Sequence, residues 1–272
     1  MPTGALVGVD LGGTNIRAAE ATGPHSFESH HRQITPAEEG PEKVLDAVAA
    51  AARQAAGARP PGAVAVGIPG PLDAGSGVVF AAPHLKGWVD VPAREMLEER
   101  LRCPVAIAND ADLAGYAEWV AGAGKGSRHF IFMTISTGIG GGLIVDGEPV
   151  AGAAAGSALS GLDPQSVDAR AVQDAAKSGD ALACSLFTDA GRALGRAVGG
   201  LINILSPEVI AIGGGVINAG ELLFSPLRDG VAEIAFEVPA QRCRIVPAGL
   251  GTDAGLVGAV AWAVRSFAAP GD

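Results

Sequence analysis

The chain has 272 residues, 48 % hydrophobic and 18 % charged, which argues against disorder and fits two α/β lobes of ordinary size. Its 40 glycines follow no three-residue period, which argues against collagen and for tight turns and close backbone approaches. A formal net charge of −10 makes nucleic acid a poor partner, although backbone N–H groups and Mg²⁺ still allow an acidic protein to hold a nucleotide.

Ala5 to Leu11 reads as a buried strand, Gly12-Gly13 as a turn and Asn15 to Ala21 as the returning strand. His30-His31 falls in surface loop. Thr35-Pro36 and the acidic residues after it open a helix that runs through the Ala-rich stretch to about Ala56. After a loop over Gly57 to Gly62, Ala63 to Ile68 is a second buried strand, ended by Pro69-Gly70-Pro71. Val91 to Arg102 is a helix, and Val105 to Ala108 a short strand that runs into Asn109-Asp110. Ala111 to Ala121 is helical, His129 to Ile135 a strand, Ser136 to Gly141 a loop and Gly142 to Val145 a return strand. The pattern is helical from Asp168 to Leu205. Strands over Glu208 to Ile212 and Ile245 to Ala248 follow, the first ending in a Gly213–Gly215 turn, and Asp253 to Phe267 is the last helix.

A weak repeat runs through this order. Asp10-Leu11-Gly12-Gly13-Thr14 follows one apolar strand, and Ser136-Thr137-Gly138-Ile139-Gly140-Gly141-Gly142 follows another. Both units read strand, Gly/Thr turn, strand, which suggests two related lobes that each present a Gly-rich hairpin to a shared cleft.

Such hairpins suit polyphosphate, because glycine lets backbone N–H groups approach the oxygens and Thr14 adds a hydroxyl donor. Asp10, at the strand end, can hold Mg²⁺ directly or through water. The same residues also suit an ordinary hairpin with an Asp cap. Gly213-Gly214-Gly215 lets a base or ribose lie on the backbone, or merely allows close strand–helix packing. Asp110 stands at a strand end that points into an α/β crevice, where a carboxylate can take a hydroxyl proton, with Asn109 binding a neighbouring hydroxyl. Helix capping is the other reading of this pair. Asp112, one helical step later, points elsewhere and ranks a distant second as base.

Cys103, Cys184 and Cys243 lie far apart, and the five histidines show no metal-ligand spacing, so no zinc site is expected. Met1-Pro2-Thr3 opens no basic and apolar leader, and the Ala-rich runs are broken by Gly or Arg. A cytoplasmic protein without membrane contact is the expectation.

Taken together, these segments resemble the ROK family (repressor, open reading frame, kinase), particularly its bacterial glucokinases. The resemblance rests on Val9 to Asn15, Gly67 to Asp73, Ala82 to Trp88, Ala108 to Ala111, Ser136 to Gly142, Asp146 to Glu148, Ile202 to Glu208 and Ile212 to Val216, in family order over most of the chain. It implies an α/β, two-lobed actin-like ATPase (ribonuclease H-like) fold. The small lobe spans 1–112 and the large lobe 113–252, with the C-terminal helix at about 253–267 packed back on the small one. It implies an ATP- and Mg²⁺-dependent kinase for a small-molecule sugar, with the glucose 6-hydroxyl as the leading acceptor, and commonly a homodimer. Asp110 would be the catalytic base, Asn109 a sugar ligand and Gly70 part of the sugar pocket. Gly12, Gly13, Thr14, Thr137 and Gly138 would contact phosphates, Gly214 and Gly215 the adenosine, and Asp10 the Mg²⁺.

The chain departs from the family after Gly156. The usual Glu-x-Gly-His and Cys-rich zinc module have no counterpart, and the text passes from Ser157-Ala158-Leu159-Ser160-Gly161 to what normally lies beyond the module. His84 stands where the family often has Asn. The omission spares the phosphate machinery and removes sugar-binding groups. A catalytically weak or inactive sugar- or nucleotide-binding relative is therefore the alternative. A ROK repressor would need a DNA-binding helix pair ahead of the first hairpin, where only nine residues precede Asp10, and is set aside.

Overall fold

The structure, a computed structural model, describes residues 4–28, 30–136, 138–150 and 169–268. Thr137 and the Gly156–Ser157 junction lie outside the described residues.

The first sheet is built from β1 (Ala5–Leu11), β2 (Asn15–Glu20), β3 (His31–Ile34), β4 (Pro61–Ile68) and β8 (Val105–Asn109), in the order β3-β2-β1-β4-β8. β1 to β3 are antiparallel neighbours, and β1, β4 and β8 run parallel. The second sheet takes β9 (Phe130–Ile135), β10 (Ile139–Val145), β11 (Glu148–Pro149), β12 (Val209–Gly213) and β13 (Arg244–Pro247), in the order β11-β10-β9-β12-β13. It repeats the same antiparallel hairpin and two parallel neighbours. The repeat suggested by the two glycine turns is thus a repeat of whole sheets, with β1 corresponding to β9, β2 to β10 and β4 to β12. A small third sheet of β5 (Leu72–Asp73), β6 (Val78–Ala81) and β7 (Val89–Val91) hangs on the first.

Helix α1 (Pro41–Ala55) covers the first sheet with Val44, Leu45, Val48 and Ala52, and α2 (Ala93–Leu101) adds Leu97 and Leu101 to the same core. On the second sheet, α5 (Ala181–Leu205) and α6 (Glu221–Ile234) bury Val198, Ile202, Phe224, Leu227 and Val231 against Ile210 and Ile212. Helix α4 (Ala169–Lys177) precedes α5, and the short α7 (Glu237–Arg242) follows α6.

Two helices bridge the sheets. α3 (Asp110–Ala121) leaves β8 and lies on β10, where Gly115 and Gly142 allow the backbones to touch; a Cβ on Gly115 would stand 3.0 Å from the Gly142 Cα. α8 (Ala254–Phe267) packs back on the first sheet, where a Cβ on Gly8 would meet the Val260 nitrogen at 2.3 Å. Gly258 brings α8 equally close to the Leu113 carbonyl of α3. Among the described residues no helix is long and apolar enough to cross a membrane.

Several local expectations are corrected. The helix expected from Thr35-Pro36 starts at Pro41, because Thr35 is held in the first hairpin: its N–H donates to the Thr14 carbonyl and its hydroxyl to the Gly12 carbonyl. His31 lies in β3 rather than in loop. Val91 closes β7, and the helix begins two residues later. β10 begins at Ile139, inside the expected loop. The long helical run breaks at Ser178-Gly179, where Gly179 takes φ 88° and Asp180 caps α5 through the Ala183 N–H.

Candidate functional site

Both hairpins converge on the N-terminus of α3. In the first, the Gly12 N–H donates to the Asn15 carbonyl. Gly13 must be glycine because His84 packs on it, and a Cβ there would lie 2.9 Å from the His84 Cβ. The second closes with the Ser136 N–H on the Gly138 carbonyl, and Gly140 beyond it admits the Ala111 methyl of α3. Gly12, Gly13, Thr14 and Gly138 therefore sit at the tips or flanks of two equivalent turns, with Asp110 between them.

Asp10 pairs across β1–β2 with Arg17, whose Nη2 and Nε lie 2.5 Å and 3.1 Å from Oδ2. Asp10 Oδ1 accepts no hydrogen bond among the described residues. Its carboxylate also rests on the start of α8, where a Cβ on Gly255 would stand 2.9 Å away. The positive end of that helix favours the charge. Such a hard oxygen donor at the rim of a glycine hairpin fits Mg²⁺ carried in with phosphates. Among the described residues no group of three or more His, Cys, Asp or Glu side chains could hold a metal.

Asn109 is both cap and strut. Its Oδ1 accepts from the Ala111 and Asp112 N–H groups at 2.9 Å and 3.3 Å, and its Nδ2 donates to the Gly70 carbonyl at 3.0 Å. Gly70 has φ 97°, and a Cβ there would press 2.1 Å from the Ala81 carbonyl oxygen. Gly214 is its counterpart after β12, with φ 84° and a Cβ position 2.1 Å from the Ile135 carbonyl oxygen. Gly215, by contrast, faces open space.

Asp110 accepts the Ala111 N–H at 2.9 Å through Oδ1. Burial pushes its carboxyl up to about 6; the Ala111 bond and the nearby His84 oppose the shift, and the Asp10 charge adds to it. Burial and then the Asp110 charge push Asp112 up to about 7. Asp112 lines, with Asn109, a cavity of ≈ 210 Å³ that also touches Asp73, Leu143, Val150 and Trp262.

Sequence reasoning did not assign Arg17, the partner of Asp10, or Glu118, which is fully buried. Glu118 accepts the N–H groups of Ala123 and Gly249 at 2.9 Å and 3.0 Å on Oε2, and that of Leu250 at 2.7 Å on Oε1. It thereby ties α3 to the segment leading into α8. An acidic residue in the middle of an otherwise apolar helix face was the available signal.

The ROK family model matches residues 6–161 and 154–266, two segments that meet where the expected zinc module is missing. A glucokinase of Thermotoga maritima is 30 % identical over 307 aligned positions, covering 95 % of this chain and 97 % of its own. That alignment is longer than the 272-residue chain, so the relative has residues with no counterpart here. The structure of a ROK hexokinase from Thermus thermophilus matches with a TM-score of 0.82 at 30 % identity, over 96 % of this chain and 99 % of that one. A ROK family glucokinase from Streptomyces griseus, solved with glucose and AMPPNP, matches with a TM-score of 0.75 at 26 % identity, over 96 % and 100 % of the chains. These neighbours carry the two-lobed actin-like ATPase fold, which the paired sheets reproduce.

Proposed function

The chain belongs to the ROK family, and on that premise we propose that it is an ATP-dependent sugar kinase with Asp110 as general base. It transfers the γ-phosphoryl group of ATP to a hexose hydroxyl, the 6-hydroxyl of glucose first. The observation that carries this reading is the place of Asp110. It is half-buried at the start of α3 between two glycine hairpins, next to Asp10 and His84, with its carboxyl raised to about 6.

A base with that value is ionised at neutral pH yet close enough to it to accept a proton readily. Asp110 takes the hydroxyl proton as the sugar oxygen attacks phosphorus, and the bond to the ADP oxygen breaks. Asn109 and the Gly70 turn hold the sugar. Gly12, Gly13, Thr14, Thr137 and Gly138 contact the phosphates, and Gly214 and Gly215 receive the adenosine. Mg²⁺, held through the phosphates by Asp10, would neutralise charge on the transferring group. The reading also takes residues 1–112 and 113–252 as the two lobes and the protein as a cytoplasmic homodimer.

ADP release measured across hexoses and N-acetylhexosamines tests the proposal. Turnover with at least one sugar, well above the sugar-free rate, is expected. Sugar binding without turnover on any of them would establish the non-catalytic alternative instead.

A further inference from the structure

The cavity beside the base carries a second assignment, which rests on the sugar-kinase reading. Its walls come from both sheets and from α8, so it opens where the lobes meet. Asn109, the N-cap of α3, and Asp112, three residues further on in its first turn, both line it. Asn109 is also the chain neighbour of Asp110, which does not itself line the cavity, so a sugar that spans both passes Asn109. At ≈ 210 Å³ the cavity lies below the roughly 300–1,000 Å³ of pockets for drug-sized ligands, a size suited to part of a monosaccharide.

Its chemistry is that of a polyol site. Leu143, Val150 and Trp262 give apolar wall, and the polar groups are a few fixed ones, the Asn109 amide and the Asp112 and Asp73 carboxyls. Among the described residues the Asp112 carboxyl accepts no hydrogen bond, and no positive charge there moderates its burial. Asp73, by contrast, already accepts the Gly75 N–H at 2.8 Å. Asp112 is thus the side chain with acceptor capacity left for a ligand. A carboxylate accepts hydroxyl donors, and an oxygen acceptor left without them in a closed site is costly.

We propose that this cavity receives the end of the sugar remote from the phosphorylated hydroxyl, and that Asp112 is its specificity-determining carboxylate, accepting hydrogen bonds from ring hydroxyls. The role is binding and not proton transfer, so it separates from that of Asp110 in the kinetics. A hydrogen bond to a charged group stabilises by about 1.5–3 kcal/mol, or roughly 10- to 150-fold in affinity.

The test compares wild type with Asp112→Asn on the best accepted sugar and on its single-deoxy analogues. The variant should raise the sugar KM about 10- to 100-fold, with kcat and the KM for ATP within about threefold. Wild type should discriminate against the analogue that lacks the contacted hydroxyl, and the variant should not. An unchanged sugar KM in Asp112→Asn, or a loss confined to kcat, overturns the assignment while the kinase reading stands. If wild type turns over no sugar, intrinsic fluorescence decides. Sugar-dependent quenching that disappears in Trp262→Phe keeps the subsite and removes the kinase reading, whereas no quenching removes both.

Discussion

The Asn109 side chain donates to the Gly70 carbonyl across 3.0 Å while its own oxygen caps α3. One amide thereby locks the end of β8 to the turn after β4 and sets the direction of the helix that carries Asp110. An aspartate at 109 keeps the capping oxygen but has no N–H for Gly70, and sets a carboxylate oxygen against a carbonyl. Asn109→Asp should therefore stay folded with a lower Tm and raise the sugar KM about tenfold, leaving the KM for ATP little changed. Steady-state kinetics with each substrate varied in turn checks the split.

Gly70 and Gly214 occupy equivalent places in the two sheets, and each has a left-handed φ with a carbonyl oxygen 2.1 Å from where a Cβ would stand. Alanine at either site adds left-handed strain of roughly 1–2 kcal/mol and a backbone clash on top. Both variants should lose stability, yet their kinetic effects should separate. Gly70→Ala should impair sugar binding, and Gly214→Ala should impair ATP binding.

Glu118 accepts three backbone N–H groups with no exposure to solvent. Glu118→Ala would strip acceptors from the Ala123, Gly249 and Leu250 amides, at about 1–3 kcal/mol for each group left buried. Denaturant unfolding should show a loss of about 1–3 kcal/mol, because Ala123 and Leu250 are half-buried while exposed Gly249 can turn to water. Because Gly249 and Leu250 lead into α8, against which Asp10 rests, the surviving folded enzyme should also need more Mg²⁺ for half-maximal rate.

Both acidic groups on α3 are raised above the usual carboxylate range, to about 6 for Asp110 and about 7 for Asp112. The folded protein therefore holds protons that the unfolded chain, with Asp near 3.9, has released. This contribution is fully present below about pH 4 and is lost as pH rises through about 6 and then about 7. Asp112→Asn should be more stable than wild type at pH 8 and should converge with it below pH 4. Melting temperatures recorded across that range test this, and equal pH slopes for the two proteins would contradict it.

The sheet repeat and the hairpins were legible because their signals are local. Glycine and threonine at a turn between apolar strands say nearly everything about Gly12-Gly13-Thr14. Helix α6 was not legible: Pro226 lies inside it and reads as a breaker, yet it packs on Gly191 of α5, where a Cβ would meet the proline ring at 2.6 Å. The strands of the small third sheet have two to four residues each, too few to show a period, and they exist through their pairing. Asp110 could be named from its strand end. The cavity around Asp112 could not, since its walls come from segments up to 190 positions apart, at Leu72 and Trp262.

The central claim is that Asp110 takes the proton of the sugar hydroxyl, and the most direct measurement is kcat and kcat/KM for wild type and Asp110→Asn across pH with one accepted sugar. In wild type, kcat/KM should rise with pH through a value near 6, the value to which desolvation raises the Asp110 carboxyl in the free enzyme. Asp110→Asn should retain ATP binding, lose about 10²- to 10⁴-fold in kcat and lose that limb of the profile. Near-wild-type turnover in Asp110→Asn, with the limb still present, would contradict the account.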